Sequence, residues 1–211
     1  DAVTLTALRA GLGSGTLTTT TNANATYAGV ISGSGGFTKN GGFSQTLSGT
    51  NAFTGPVTIN NGTLIAGAAA GGQAFGLNAA VTVGANGLLF LNSFSQRIGS
   101  LAGGVNNNGT GVNIGSNATL TLGSNNTNTN FVGRIFGANS GITKIGTGVQ
   151  TLSNSTGNAY TGATVIQGGT LQAGTGAAPQ AFGNNSAVSL DNTAGVTLDL
   201  NNTVQTIGSL A

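Results

Sequence analysis

The chain has 211 residues, of which 4% are charged and 38% apolar, and it contains no Cys, Met, Trp or His. Its acidic residues are Asp1, Asp191 and Asp199, with no Glu, so His- or Cys-based nucleophile–base pairs, thiol and zinc chemistry and disulfide frameworks are excluded. The sequence pI of about 9.5 rests on Arg9, Lys39, Arg97, Arg134 and Lys144, which are scattered singly and form no phosphate-neutralising cluster, so no nucleic-acid partner is expected.

The predicted elements are short alternating apolar and polar runs broken at Gly or Asn. Val57–Ile59, then Asn60-Asn61-Gly62, then Thr63–Ile65 reads as strand, turn, strand. Val81–Val83 and Thr119–Leu122 are further strands. Thr164–Ile166, Gln167-Gly168-Gly169 and Thr170–Gln172 repeat the first arrangement, and Val188–Leu190 and Val196–Leu200 follow, the last with Val196, Leu198 and Leu200 expected inward and Asp199 outward. No window has sustained helical periodicity, and helix is expected to be nearly absent. The densest apolar run, Leu88 to Leu91, is far short of the roughly 20 residues of a membrane-spanning helix. No charged-then-apolar leader follows Asp1, and the chain reads as a piece of something longer.

Two stretches repeat half a chain apart. Residues 36–67 answer 141–174, and QAFGLNAAVTVGANGLLFLNSFSQRIGSLA at 73–102 answers QAFGNNSAVSLDNTAGVTLDLNNTVQTIGSLA at 180–211. A period near 105 residues is too long for one solenoid coil of about 20–25 residues, so each module is expected to hold four or five coils and the chain eight to ten. The fold expected is all-β: a right-handed parallel β-helix, a rod roughly 40–50 Å long at about 4.8 Å per coil. Modules 1–104 and 105–211 would form one continuous solenoid, stabilised coil by coil. A sandwich would need antiparallel hairpins, and a propeller a blade repeat of about 40–50 residues that is absent here. Phe37, Leu47, Val57, Ile59 and Leu64 are expected inside module one, and Ile142, Leu152, Val165 and Leu171 inside module two. The alternation slips at Ile166, whose side is left open. Thr58, Thr63, Thr164 and Thr170 are expected in polar or outward ladders.

The spaced residues Gly36, Lys39, Gly41, Leu47, Asn51, Phe53, Gly55, Gly62 and Leu64 recur as Gly141, Lys144, Gly146, Leu152, Asn158, Tyr160, Gly162, Gly169 and Leu171. This pattern resembles the autotransporter-associated β-strand repeat, also called the passenger-associated transport repeat, and the trailing Gln96–Ala102 and Gln205–Ala211 resemble the segment that often follows it. Pro56 and Phe53 depart from the commoner Gly and Tyr. The resemblance implies a bacterial, extracellular, surface-exposed passenger built as a β-helix and delivered through an outer-membrane pore domain. A structural or adhesive stalk is then the expected function. Its partners would be itself or glycans and proteins of host or neighbouring cells. A subunit of a self-assembling filament or phage-type fibre is the alternative, and a carbohydrate-active β-helix enzyme a weaker one.

No catalytic, cofactor-binding or metal-binding residue is assigned, and no enzyme is expected. Asp191 and Asp199 could lie on neighbouring coils, but module one has no counterpart to either, and solvated strand or corner carboxylates are expected. Lys39 and Lys144 share a module position. They are expected as solvated strand lysines that discourage unwanted pairing, with contact to anionic glycans as the other reading. Phe53 and Tyr160 are expected to cover the coil interior from a corner, with sugar stacking as the alternative.

Overall fold

A computed structural model describes residues 4, 5, 9–67, 72–105 and 110–211; Asp1 lies outside this set. The described chain is all-β with every strand pair parallel and no helix, wound as a solenoid of about 9 coils. Each coil passes three faces. After β1 (Thr4–Leu5) and β2 (Arg9–Gly11), the first full coil is β3 (Leu17–Thr20), β4 (Ala25–Tyr27) and β5 (Val30–Gly33). The second is β6 (Phe37–Asn40), β7 (Ser44–Leu47) and β8 (Ala52–Phe53). In the third, β9 (Val57–Ala66) covers two faces and residues 73–77 complete the coil. The fourth is β10 (Ala80–Phe90), again across two faces, and β11 (Gln96–Arg97). Then follow β12 (Ser100–Gly103), β13 (Gly111–Ser116) and β14 (Thr119–Leu122), and next β15 (Thr129–Phe131), β16 (Arg134–Ala138) and β17 (Gly141–Lys144). The seventh coil is β18 (Val149–Leu152), β19 (Ala159–Tyr160) and β20 (Thr164–Ile166). The eighth is β21 (Thr170–Ala173), residues 180–184 and β22 (Ala187–Leu190), and the ninth β23 (Thr197–Asp199) and β24 (Ser209–Leu210).

Following the ladders gives the relation between the two modules. Face one carries β3, β6, β9, β10, β12, β15, β18, β21 and β23, and face three carries β11, β14, β17, β20, β22 and β24. Strand β6 holds Phe-Thr-Lys on face one, whereas its counterpart β17 holds Ile-Thr-Lys on face three. The module therefore advances four coils and two further faces, and its second copy sits turned by one face about the rod.

The core fills as alternation dictates. Phe37, Leu47, Val57, Ile59 and Leu64 point inward and are buried, as are Ile142, Leu152 and Leu171. Three features differ from what the alternation predicts: two side-chain orientations and one strand's continuity. Val165 faces outward and Ile166 inward, because Thr164 occupies the buried position that Val57 holds in module one. Leu200 is 44% exposed, unlike its fully buried counterpart Leu91, which is covered by a further coil through Leu91 N–H donating to Asn113. Finally, β9 runs through Asn60-Asn61-Gly62 as one ladder rather than breaking into strand, turn, strand, since β10 pairs with it along its length.

Corners are made by left-handed backbone. Among the described residues the non-glycine positions with positive φ are eight Asn and Ser93, and they recur in both modules: Asn78 with Asn185, Asn92 with Asn201, Ser93 with Asn202. Asn tolerates this region because its short side chain hydrogen-bonds locally. Gly62 (φ 72°) takes it at the corner between faces one and two, and Gly169 (φ 61°) at the equivalent module corner, here between faces three and one; a Cβ would meet a carbonyl oxygen of the preceding coil at 2.4 and 2.5 Å.

Candidate functional site

The positions that define the repeat lie mostly inside the rod, as polar bridges between coils. Lys39 is fully buried and its Nζ donates to the carbonyls of Asn40 and Gly41, both at 2.7 Å, and of Asn61 in the next coil at 3.2 Å. Lys144 is 1% exposed and does the same with Ile145 (2.8 Å), Gly146 (3.1 Å) and Gly168 (3.0 Å). The three ammonium donors thus meet three backbone carbonyls that converge at the bend. Burial lowers the pKa of Lys39, and that of Lys144 to about 8. Neither the solvated-lysine reading nor the glycan-contact reading holds: both side chains are in the core. A strand lysine of either orientation has the same sequence spacing; the inward register, with Lys39 between Thr19 and Ile59 and Lys144 between Leu122 and Ile166, separates them.

Asparagine bridges a second corner. Asn51 Oδ1 accepts from Ile31 N at 2.8 Å while its Nδ2 donates to Ala74 O at 2.7 Å, joining the coils on either side. Asn158 repeats this with Ile135 N at 2.8 Å and Ala181 O at 2.7 Å. The ladder then continues one coil further, through Ala74 N to Gln96 Oε1 (2.8 Å) and Ala181 N to Gln205 Oε1 (2.9 Å). The trailing Gln of each module therefore belongs to the same device as the Asn about 45 residues before it. Gln205 Nε2 donates to Thr203 Oγ1, whereas Phe94 stands at that place in module one and Gln96 Nε2 is buried without a partner.

Phe53 and Tyr160 are both fully buried over the coil interior, and their surroundings differ in step. Tyr160 Oη lies 2.8 Å from Thr164 Oγ1, which also donates to Phe182 O (2.9 Å) and lies 3.2 Å from Ser186 Oγ. The module-one counterparts of Tyr160, Thr164 and Ser186 are Phe53, Val57 and Ala79, all apolar. Three hydroxyls come and go together, as burial of polar groups requires. Burial raises the Tyr160 pKa, only partly offset by the Thr164 bond. Thr164 is thereby a core residue and not part of an outward ladder; Thr58, Thr63 and Thr170 are half-buried on the strands.

The outer faces carry what a partner would meet. On face one, Thr18, Thr38, Thr58, Thr82, Ala102, Asn130, Thr151, Gln172 and Asp199 fall in register, one per coil. Hydrogen bonds link the row: Thr151 Oγ1 donates to Gln172 Oε1 at 2.9 Å, and Gln172 Nε2 to Asp199 Oδ2 at 2.7 Å. Gln172 and the Asn201 backbone N–H lower the Asp199 pKa and hold it as a carboxylate. Asp191 is exposed at the corner before β23. Among the described residues no group of three His, Cys, Asp or Glu gathers in metal-binding range.

The passenger-associated-transport-repeat family matches residues 37–66 and 142–173. Over 151 residues, 70% of this chain, the sequence is 38% identical to the adhesin BmaC autotransporter of Brucella suis biovar 1 (strain 1330), and it spans 4% of that protein's length. No solved structure matches significantly. No helix among the described residues is long and apolar enough to cross a membrane. The two matched segments are β6–β9 and β17–β21, which contain both lysine bridges and both asparagine bridges: the chain carries two passenger-associated transport repeats on one β-solenoid.

Proposed function

We propose that this chain is part of the extracellular passenger of an autotransporter adhesin, a stiff surface-exposed stalk that also presents adhesive faces. The observation that carries the reading is the pair of transport repeats whose defining side chains bridge successive coils from inside, leaving strand faces of Thr, Asn and Gln outside. A rod bridged at its corners resists bending, and nearest-neighbour stacking lets length be added coil by coil. The face-one row carries no charge from Thr18 to Gln172, so contact along that face would proceed by hydrogen bonding rather than by charge. Two of the five cations are internal, which removes them from any polyanion contact. A structural role without catalysis fits the absence of His, Cys and Glu.

The test is to display these residues on a non-adherent bacterial cell through a heterologous pore domain and to count cells retained on host-cell monolayers. Retention well above that of cells displaying the pore domain alone supports the stalk-adhesin. Background retention contradicts it. Clumping of the displaying cells without retention on monolayers would replace adhesion to other cells by self-association.

A further inference from the structure

Face two differs from the polar row of face one. There Thr46, Ile65, Phe90, Asn113 and Phe136 fall in register on consecutive coils, all half-buried and all outward, because their neighbours Leu47, Leu64, Leu89, Val112 and Ile135 fill the core. A second outward row on the same face runs Ser44, Thr63, Leu88, Gly111 and Arg134. Phe90 and Phe136 are thus two coils apart, about 10 Å along the rod, with Asn113 between them. Asn113 Oδ1 accepts from Gly115 N at 2.9 Å, which fixes the amide within the outward row. Arg134 stands beside Phe136, with its Nε donating to Gly157 O at 3.1 Å. No acidic residue lies in either row.

We propose that this strip binds a linear β-linked glycan bearing carboxylates, with the sugar faces stacked on Phe90 and Phe136. The inference rests on the adhesive reading above and names its partner chemistry. Two sugars of an extended β-linked chain advance by close to the separation of the two rings, so the rings meet every second sugar. Stacking of C–H faces on an aromatic ring needs a flat, half-exposed platform, which a ring lying on a strand face provides. Amide donors of Asn113 and the hydroxyls of Thr46 and Thr63 are placed to bond sugar hydroxyls. The positive Arg134 in a strip without carboxylates selects an acidic sugar over a neutral one.

The probe is a hyaluronan oligosaccharide of ten sugars, titrated calorimetrically into the purified chain. Binding is expected, weakening with salt, and a chain of two sugars should bind far less because it reaches one ring. Replacing both rings (F90A with F136A) should weaken binding by about tenfold or more, while T58A with T151A on face one leaves it unchanged. Far-ultraviolet circular dichroism of each variant checks that the strands persist. Should the double ring variant fail to fold, the conservative pair F90L with F136L keeps the apolar cover and removes the rings, and must show the same loss. Wild-type binding unchanged by loss of the rings overturns the proposal. So does absence of binding while displayed cells still adhere, an outcome that leaves the adhesive reading standing. Cells that fail to adhere while the purified chain binds the glycan would instead sink the adhesive reading and keep the strip.

Discussion

Lys39 and Lys144, 105 residues apart, make the same three-carbonyl contact from different faces of one rod. The shared contact explains why the repeat holds a lysine at all in a chain with so few charges. An ammonium is the one side-chain group offering three donors from a point, and the corner presents three carbonyls.

Removing that group should leave buried acceptors unpaired. Lys39→Met and Lys144→Met are each expected to lower unfolding free energy by roughly 2–3 kcal/mol, the range for charged hydrogen bonds lost from a buried site. Arginine should not rescue either, because its planar fork does not converge on one point. Urea midpoints with an unchanged slope would measure this.

The same lysines give a pH dependence of known sign. Burial holds Lys144 at about 8 in the folded chain, below its ordinary 10.5. The folded state therefore releases this proton before the unfolded state does. Between about pH 8 and 10 the unfolded chain binds more protons, so stability rises with pH through that window. Urea midpoints at pH 7.5 and 9.5 should show the rise in wild type and a smaller one in Lys144→Met. A wild-type midpoint that falls across this window would show that the three carbonyls outweigh burial.

The hydroxyl cluster of module two predicts strong coupling. Phe53→Tyr alone places an unpaired hydroxyl in the core and should cost about 1–3 kcal/mol. Adding Val57→Thr and Ala79→Ser, to reproduce Tyr160, Thr164 and Ser186, should recover most of that loss. A thermodynamic cycle over the three substitutions measures the coupling, and additive costs would contradict the account.

Asn51 and Asn158 should be equally sensitive. Replacement of either by Leu unpairs one N–H and one carbonyl on neighbouring coils, at an expected cost of about 2–4 kcal/mol. Loss of amide protection in hydrogen exchange should centre on Ile31 for Asn51→Leu and on Ile135 for Asn158→Leu, the amides that donate to the lost Oδ1.

The architecture was legible because repetition and alternation are properties of the string itself. Phe37, Val57, Ile59 and Leu64 alternate with polar residues, and Asn at corners announces left-handed backbone. Orientation at the slip in 164–166 was not legible, because Thr164 looks like a surface residue until its partners Tyr160, Phe182 and Ser186 are brought together. The lysine bridges were hidden for a related reason. Their acceptors are backbone carbonyls, Asn61 and Gly168 among them, and carbonyls leave no trace in residue type. The Phe90–Phe136 pairing needed the register, since 46 residues and an intervening coil separate two phenylalanines of unremarkable context.

The central claim, one continuous parallel solenoid, is tested most directly by distances along the face-one row. The chain has no Cys, so pairs of introduced cysteines accept spin labels without background. With one label at Thr38, partners at Asn130, Thr151 and Gln172 lie four, five and six coils away. Pulsed electron–electron resonance should then give separations near 19, 24 and 29 Å between backbone positions, rising by about 4.8 Å per coil. Distances that do not lengthen steadily through this series would contradict the solenoid and favour a sheet folded back on itself.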